Sequence, residues 1–305
     1  MYRFFSSPLK FLVQHLYSLV LLLRGPAFSA SSSKDRIRIV CLSDTHTFKP
    51  DAVPAGDILI HSGDLTNAGS FEEIQDQIDF LSALPHKHKL VIAGNHDSYF
   101  DPKSRRQEDV GKEIRWGDVH YLQHSSIKLS FPERGRPQLS FYGAPQIPAC
   151  GGDDFAFQYQ RGNDAWSNTI PINTDVLITH TPPKAHLDLP VGLGCEYLAQ
   201  EVWNVRPKVH VFGHVHAGYG REYVFWDDSQ RIYERLYARG DKGMLRDMIA
   251  VKAWMDVAFL VLYGALGILW SRVWGGDDSG GIMINTALMY RSTGRLGNSP
   301  QVVDI

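Results

Sequence analysis

The 305-residue chain has few cysteines and almost no net charge. Its three cysteines, Cys41, Cys150 and Cys195, have no paired spacing, which argues against a disulfide framework and against a thiolate zinc site. The net charge of -2 gives no basic footprint for nucleic acid and no acidic tail. No Asn begins an Asn-x-Ser/Thr sequon, which weighs against a glycosylated secretory route. The remaining composition is that of an ordinary globular protein.

The first 34 residues differ from the rest of the chain, and we treat 1–34 as a separate hydrophobic and linker segment. Its apolar run, from Phe11 to Leu23, is shorter than the roughly 20 residues that a spanning helix needs. A Ser-rich stretch follows. The segment therefore fits either a signal peptide, with Ala27 and Ser29 near the cleavage point, or an amphipathic membrane anchor.

Residues 35–305 have the hydrophobic pattern of an α/β domain. A helix predicted after the second strand begins at a capping box, Ser70 and Glu73, and ends before Pro85. A strand, a helix and a strand in succession predict a right-handed crossover. The runs that predict strands are 36–42, 58–61, 90–93, 119–121, 127–129, 139–142, 176–178 and 209–212, and a further helix is predicted at 196–205.

Polar residues of the same few types follow five of these strands. In an open α/β sheet, ligands bind at the carboxyl ends of the strands. One Asp-x-His pair is weak evidence, but five such groups after five strands indicate a single site rather than a set of turn residues. The groups are Ser43-Asp44-Thr45-His46, Ser62-Gly63-Asp64, Gly94-Asn95-His96-Asp97, Thr179-His180-Thr181 and Gly213-His214-Val215-His216.

These groups supply carboxylates, imidazoles and one amide, without a thiolate. Such donors suit divalent ions such as Mn, Fe, Zn or Co. Seven donors are too many for one tetrahedral zinc, and they suit two octahedral ions that share a bridging carboxylate. Two ions about 3.5–4 Å apart can activate a water and bind a phosphoryl group. In this setting His214 and His216 are interpreted as ligands rather than as structural histidines.

The five groups resemble the motifs of the calcineurin-like metallophosphoesterase superfamily over residues 36–220 and 282–305. The sequence 193–196 and the sequence 210–220 are most similar to the small metallophosphoesterase-domain-containing branch related to fetal-brain proteins. The protein serine/threonine phosphatases fit less well, because they have Glu at the position of Asp97. The resemblance implies an α/β fold in which two mixed β-sheets pack as a sandwich flanked by helices.

The resemblance also implies roles for the site residues. Asp64 would bridge two divalent ions, with Mn, Fe or Zn as the expected metals. His96 would protonate the leaving oxygen, and Asp97 would orient His96. The other implied ligands are Asp44, His46 and His216 for the first ion and Asn95, His180 and His214 for the second.

The activity that follows is metal-dependent hydrolysis of a phosphoester small molecule, with a nucleotide among the candidates. The branch favours a phosphodiester substrate. A phosphomonoesterase is the alternative within enzymes, and a nucleotide-binding or scaffold protein with vestigial catalysis is the alternative outside them. All ligand positions are filled, which counts against the vestigial reading.

Residues 222–281 depart from the family pattern as an insertion. The run Val257–Trp270 has no charge, and Trp254, Trp270 and Trp274 flank it as an interfacial belt would. A helix over 253–274 would be long enough to cross a bilayer.

The topology opposes a simple crossing of the membrane. Residues 282–289 and 302–305 resemble the family's last strand and tail, which must rejoin the catalytic sheet. We therefore predict that the 253–274 helix lies on the membrane or dips into it, beside the N-terminal run. The alternative is a helix packed on the protein's own surface. The expected location is cytoplasmic with membrane association, and a secretory route stays open.

Overall fold

The computed structural model describes residues 7–27, 36–134, 136–152, 154–189, 192–239, 243–276, 280–291 and 293–305. The chain divides into two compact units. The larger comprises Ala30–Leu189, Leu193–Glu222 and Met283–Ile305, and the smaller comprises Met1–Ser29, Pro190–Gly192 and Tyr223–Ile282. The domain boundary predicted at residues 34–35, like the predicted cleavage point at Ser29, lies outside the described residues.

The first sheet has five strands in the order β13-β1-β2-β3-β4. The four strands from β1 to β4 are parallel neighbours, because crossovers return each one to the same direction. The last strand of the chain pairs antiparallel with β1 at the other edge. The bounds are Arg38–Leu42 (β1), Ile58–Ser62 (β2), His88–Ile92 (β3), Val119–Tyr121 (β4) and Gln301–Asp304 (β13).

The second sheet has six strands in the order β11-β12-β10-β9-β6-β5. It is also mixed, since β9 is parallel to both β10 and β6 whereas β5 and β6 are antiparallel. A short parallel pair, β7 and β8, stands apart. The bounds are Ser125–Phe131 (β5), Arg136–Ala144 (β6), Ile147–Pro148 (β7), Gln158–Tyr159 (β8), Val176–Thr179 (β9), Val209–Phe212 (β10), Gly220–Phe225 (β11) and Gly280–Asn285 (β12).

The two sheets pack against each other where β6 meets β3. A Cβ added to Gly143 would lie 2.7 Å from Cγ2 of Ile92, so the sheets approach closely there. The predicted α/β fold with two mixed sheets and helices is confirmed. The helices are Pro8–Arg24 (α1), Phe71–Ser82 (α2), Glu196–Val205 (α3), Asp228–Tyr237 (α4), Met244–Met248 (α5) and Val251–Arg272 (α6).

Helix α2 covers the first sheet with the apolar face that its sequence predicts. Ile74, Ile78 and Leu81 are fully buried against strand residues such as Leu59 and Val91. Burial of each such side chain contributes about 1.5–3 kcal/mol.

The capping box of α2 is only half formed. The Ser70 hydroxyl accepts a hydrogen bond from the Glu73 N–H at 3.2 Å, as predicted. The Glu73 carboxylate, however, accepts from the Ala68 N–H at 3.0 Å instead of from Ser70, because the turn before the helix presents that amide.

Three of the four helices described in the smaller unit, α1, α4 and α6, surround an apolar core of their own. Val13 of α1, Ile232 of α4 and Leu260 of α6 lie in this core. Among the described residues, α6 is the one helix long and apolar enough to cross a bilayer by length and composition. It spans Val251–Arg272, two residues earlier than the sequence predicts.

A buried histidine of β10, in the second sheet, gives a prediction about the pH dependence of stability. His210 is 1% exposed, and its Nε2 lies 2.8 Å from Thr179 Oγ1. Burial lowers the pKa of His210 to about 3. The unfolded chain therefore binds a proton that the folded chain does not between about pH 6.5 and 3, and stability falls as the pH falls through this window, by about 1.4 kcal/mol per pH unit.

We expect His210→Leu to reduce the slope of the unfolding free energy against pH between pH 6.5 and 4.5. The reduction should be about 1.4 kcal/mol per pH unit, the value for one proton. Urea unfolding with excess chelator, which keeps metal loss out of the comparison, measures it. His120→Leu, at an exposed position, is the matched control and should leave the slope unchanged. An unchanged slope in His210→Leu would show that this histidine is not buried in its neutral form.

Candidate metal centre

The candidate ligands lie in the turns that follow the parallel strands. Asp44 and His46 follow β1, and Asp64 follows β2, its parallel neighbour. His180 and His214 follow β9 and β10, which are parallel neighbours in the second sheet. All of these turns lie in the larger unit. They bring the candidate ligands together at the carboxyl ends of the parallel strands of both sheets.

The backbone at these turns is unusual. Asp44, His46, Asp64 and His214 all have positive φ values, of 51°, 46°, 53° and 65°. The left-handed conformation costs a non-glycine residue roughly 1–2 kcal/mol. Strain of this kind persists where the surrounding structure determines the conformation, and it is concentrated at functional sites.

One group of donors is formed by Asp44, His46, Asp64 and His216, whose ligand atoms lie within 4.8 Å of one another. His216 Nε2 lies 3.2 Å from Asp44 Oδ1. His46 Nε2 lies 3.6 Å from Asp64 Oδ2 and 3.3 Å from His216 Nε2. Because metal–ligand bonds are about 2.0–2.2 Å long, donors at these separations can reach one ion.

A second group shares Asp64 with the first. Asp64, His180 and His214 again have ligand atoms within 4.8 Å of one another. His180 Nε2 lies 3.3 Å from Asp64 Oδ1 and 3.1 Å from the Asn95 amide oxygen. The two oxygens of Asp64 therefore face different groups of donors, which is the arrangement of a bridging carboxylate.

Two of the histidines are held in the tautomer that metal binding requires. His180 Nδ1 donates to the Ser62 carbonyl at 2.9 Å, and His216 Nδ1 donates to the Arg291 carbonyl at 2.7 Å. With Nδ1 bonded to a carbonyl, Nε2 points toward the carboxylates and is the atom that would bind an ion after losing its proton.

The charges at the site favour cations. Burial alone would lower the pKa of His180, but the adjacent Asp64 carboxylate raises it to about 9. Burial and Asp44 act in the same opposed way on the pKa of His216, with the same result of about 9. The buried carboxylates of Asp44 and Asp64 thus stabilise positive charge between the two groups of donors. Two divalent ions would supply that charge and would suit the nitrogen and oxygen donors.

Two glycines allow the backbone to approach the carboxylates. A Cβ on Gly94 would lie 2.2 Å from Asp64 Oδ1, and a Cβ on Gly213 would lie 2.1 Å from Asp44 Oδ2. Neither position has room for a side chain while the carboxylate stays in place.

We therefore expect Gly213→Ala to displace Asp44 and to weaken metal binding about 10–100-fold, the range for changes that disturb ligand orientation. Competition with a fluorescent chelator measures the affinity. Gly162→Ala is a control in open space, and it carries in addition the strain of a positive φ, which Gly213 does not have. Unchanged affinity in Gly213→Ala would show that Asp44 is not held as a ligand by this turn.

His96 lies beside the donors without belonging to either group. Its ring centroid is 4.7 Å from that of His46. Its Nδ1 donates to the Asn67 carbonyl at 2.8 Å, which leaves Nε2 for another partner. Its backbone N–H donates to Asp64 Oδ1 at 2.9 Å.

Asp97 is placed differently from the expectation that it orients His96. Its buried carboxylate accepts from the N–H groups of Gly94, Leu65 and Thr66 and from the Thr66 hydroxyl, at 2.8–3.1 Å. None of these described partners is the His96 imidazole. Asp97 therefore ties the turns after β2 and β3 together, and the Asn67 carbonyl takes the orienting position.

Sequence reasoning missed this carbonyl, because any residue has one. It also missed Phe155, whose ring centroid is 4.8 Å from that of His96. The Ala156 N–H donates to the Asn95 carbonyl at 2.9 Å, which fixes Phe155 beside the site. No pattern in the loop could have predicted this contact, since it depends on a long-range backbone hydrogen bond.

The sequence model of the calcineurin-like phosphoesterase family matches residues 37–218, which include every candidate ligand. The chain belongs to the calcineurin-like phosphoesterase family. The membership that the sequence motifs indicated is thus confirmed, and the similar proteins include members of the metallophosphoesterase-domain-containing branch.

Two of these relatives are a metallophosphoesterase domain-containing protein and a UPF0046 protein. Human metallophosphoesterase domain-containing protein 1 is 36% identical over 208 residues, covering 60% of this chain and 61% of that protein. UPF0046 protein C25E10.12 of Caenorhabditis elegans is 37% identical over 201 residues, covering 61% of this chain and 71% of that protein.

A third relative matches nearly the whole of this chain. The probable rhamnogalacturonate lyase C of Emericella nidulans is 38% identical over 290 residues, covering 93% of this chain and 26% of that protein. This chain therefore spans about a quarter of that relative. The unmatched share of this chain is too small to contain all of Tyr223–Ile282, so the match extends into that segment.

Proposed function

We propose that this chain is a dimetal phosphoester hydrolase that acts on a phosphodiester. The observation that carries the proposal is Asp64, whose two oxygens face separate groups of donors. Asp44, His46 and His216 would hold one ion, and Asn95, His180 and His214 the other. When bound, two divalent ions supply a water of lowered pKa and offset the phosphate charge.

The chain's own contribution to the reaction is the proton of His96. With Nδ1 bound to the Asn67 carbonyl, the imidazole presents Nε2 toward the site, and protonated His96 would donate from that atom to the leaving oxygen. Asp64 supports the position of His96 by accepting its backbone N–H. Mn, Fe and Zn all suit the donor set, because it consists of nitrogen and oxygen atoms.

The position of Phe155 supports a planar leaving group such as a nucleoside or an aryl alcohol. Its ring is half-buried and tilted against the His96 ring, and its Cε2 would be 2.7 Å from a Cβ on Gly151. The ring thus stands next to the group that would protonate the leaving oxygen. Stacking of a flat ring on a phenylalanine contributes about 0.5–1.5 kcal/mol.

We expect Phe155→Ala to raise KM for an aryl phosphodiester about 3–10-fold and to leave KM for a dimethyl phosphodiester unchanged, in line with that stacking energy. Phe155→Tyr, which keeps the ring, is the matched control and should behave as the wild type does. Equal effects of Phe155→Ala on both substrates would assign the ring a structural role.

The test of the activity compares an aryl phosphodiester with an aryl phosphomonoester, using protein reconstituted with Mn²⁺. Faster hydrolysis of the diester is the expected result. A preference for the monoester would make the protein a phosphatase. Nucleotide binding without turnover, in protein shown to hold two ions, would favour the nucleotide-binding or scaffold alternative.

A further inference from the structure

Helix α6 has an outer face without a single charged side chain. Every exposed residue between 253 and 271 is apolar or aromatic, among them Leu262 and Trp270, both 51% exposed. Only 28% of the helix's most apolar window is buried inside the described part of the chain. A helix packed on the protein's own surface would be mostly buried, so α6 needs another cover.

The inner face of α6 is covered by α1, which runs parallel to it. A Cβ on Gly264 would lie 2.7 Å from Val20 Cγ2, so the two helices are in close contact. Near their ends, Arg24 Nε donates to Ser271 Oγ at 3.1 Å, and Arg272 Nε donates to the Leu23 carbonyl at 3.1 Å. On α1 itself, Leu19, Leu22 and Leu23 are at least half exposed and extend the apolar surface.

The third helix, α4, packs on the same pair and is strongly polar. Arg24 of α1 pairs with Asp227 at its start. Arg235 pairs with Asp256 of α6 at 2.7 Å, and its side chain is 59% exposed. Its 10 residues are about 15 Å long.

This charged helix excludes a simple crossing of the bilayer by α6. If α1 and α6 spanned the hydrocarbon core of about 30 Å, the paired charges of α4 would lie within it. A surface that inserts about 5–10 Å would bury the outer face of α6 and leave α4 in water.

The residues at the ends of the α6 face indicate a lipid cover rather than a protein cover. Trp254 lies near one end and Trp270 and Trp274 near the other, all of them exposed, as in the aromatic belts of membrane proteins. Arg246, Lys252 and Arg272 are exposed at the same ends, where they would meet anionic head groups. Protein interfaces carry roughly one hydrogen bond per 100–200 Å² of buried area. The outer face of α6 between its two ends offers almost no side-chain donors or acceptors.

We propose that the outer face of α6, with the exposed leucines of α1, is a monotopic membrane-docking surface for anionic bilayers. The helices lie along the bilayer surface, with α4 on the aqueous side. This inference does not depend on the metal centre.

Flotation of the full chain with phosphatidylcholine vesicles, with and without phosphatidylserine, tests the docking. The wild type should float with both and more strongly with phosphatidylserine. Leu262→Glu/Leu266→Glu should reduce the partition constant for vesicle binding roughly 100-fold or more, because two charges would enter the hydrocarbon boundary. The matched control is Val110→Glu/Ile172→Glu, which changes two exposed apolar residues elsewhere and should bind as the wild type does.

Labelling of one introduced cysteine at a time, with Cys41 and Cys195 buried, on protein bound to sealed vesicles distinguishes docking from spanning. In a Cys150→Ser background, which removes the exposed native thiol, Arg246→Cys and Val273→Cys place one thiol near each end of α6. An impermeant maleimide added outside should label both. Labelling of one thiol while the other stays protected until detergent is added would mean a spanning helix and would overturn the proposal.

A cover made by a second copy of the chain would also overturn it. In that case light scattering would show a dimer that Leu262→Glu/Leu266→Glu dissociates, and the wild type would not float. Equal flotation of the Leu262→Glu/Leu266→Glu variant and the wild type would likewise exclude this surface as the docking site.

Discussion

Replacement of Asp64 by alanine should remove both ions and reduce phosphodiester turnover by on the order of 10³-fold or more. The reason is that Asp64 Oδ1 and Oδ2 face different groups of donors, so one substitution takes a ligand from each ion. Loss of two ions removes several kcal/mol of transition-state stabilisation, which corresponds to about 10³-fold in rate. Metal analysis by mass spectrometry and turnover measured on the same sample check both parts.

Asp76→Ala is the matched control for this variant, because Asp76 is an exposed carboxylate of the same unit, paired with Lys49. It should keep both ions and full turnover. A chain with Asp64→Ala that retains two ions would contradict the bridging position, whatever its activity. Circular dichroism verifies that the variant is folded.

Replacement of His96 by alanine should reduce turnover in a way that depends on the leaving group. A general acid contributes about 10²–10⁴-fold where the leaving oxygen needs a proton. The loss should therefore be large for an alkyl leaving group and small for a p-nitrophenolate leaving group, which departs without protonation. The slope of log kcat against leaving-group pKa measures the difference.

His96→Ala should also keep the metal content of the wild type, since the His96 ring belongs to neither group of donors. His124→Ala, at a histidine of a loop outside the site, is a control for general loss of stability. Equal losses with both leaving groups would assign His96 a role in binding the phosphate instead.

The strands that deliver the ligands could be predicted because they are buried on both sides. Runs such as Val176–Thr179 and Val209–Phe212 are mostly apolar and buried at every residue, and their bounds follow the sequence pattern closely. The short strand pair Ile147–Pro148 and Gln158–Tyr159 was not predictable, because a strand of two residues is too short to show a hydrophobic periodicity. The strand Gly220–Phe225 alternates in burial and was likewise missed.

The contacts that orient the site could not be predicted from side-chain types. The Nδ1 atoms of His96, His180 and His216 all bond to backbone carbonyls, those of Asn67, Ser62 and Arg291. Any residue at those positions supplies the same oxygen. Asp97 shows the reverse case, since its side chain suggests a catalytic carboxylate whereas the fold uses it to hold two turns.

The close packing of α1 on α6 depends on residues that are uninformative alone. Gly264 and Gly267 lie within an apolar run, and only the structure shows Val20 and Arg24 packed against them. The sequence predicted that the two segments lie together without showing how.

The most direct test of the account is to titrate Mn²⁺ into chelator-treated full chain while recording ions bound and hydrolysis of an aryl phosphodiester. The account predicts two ions per chain, with turnover that appears as the second ion binds. Full turnover with one ion bound, or turnover that survives complete removal of metal, would contradict it.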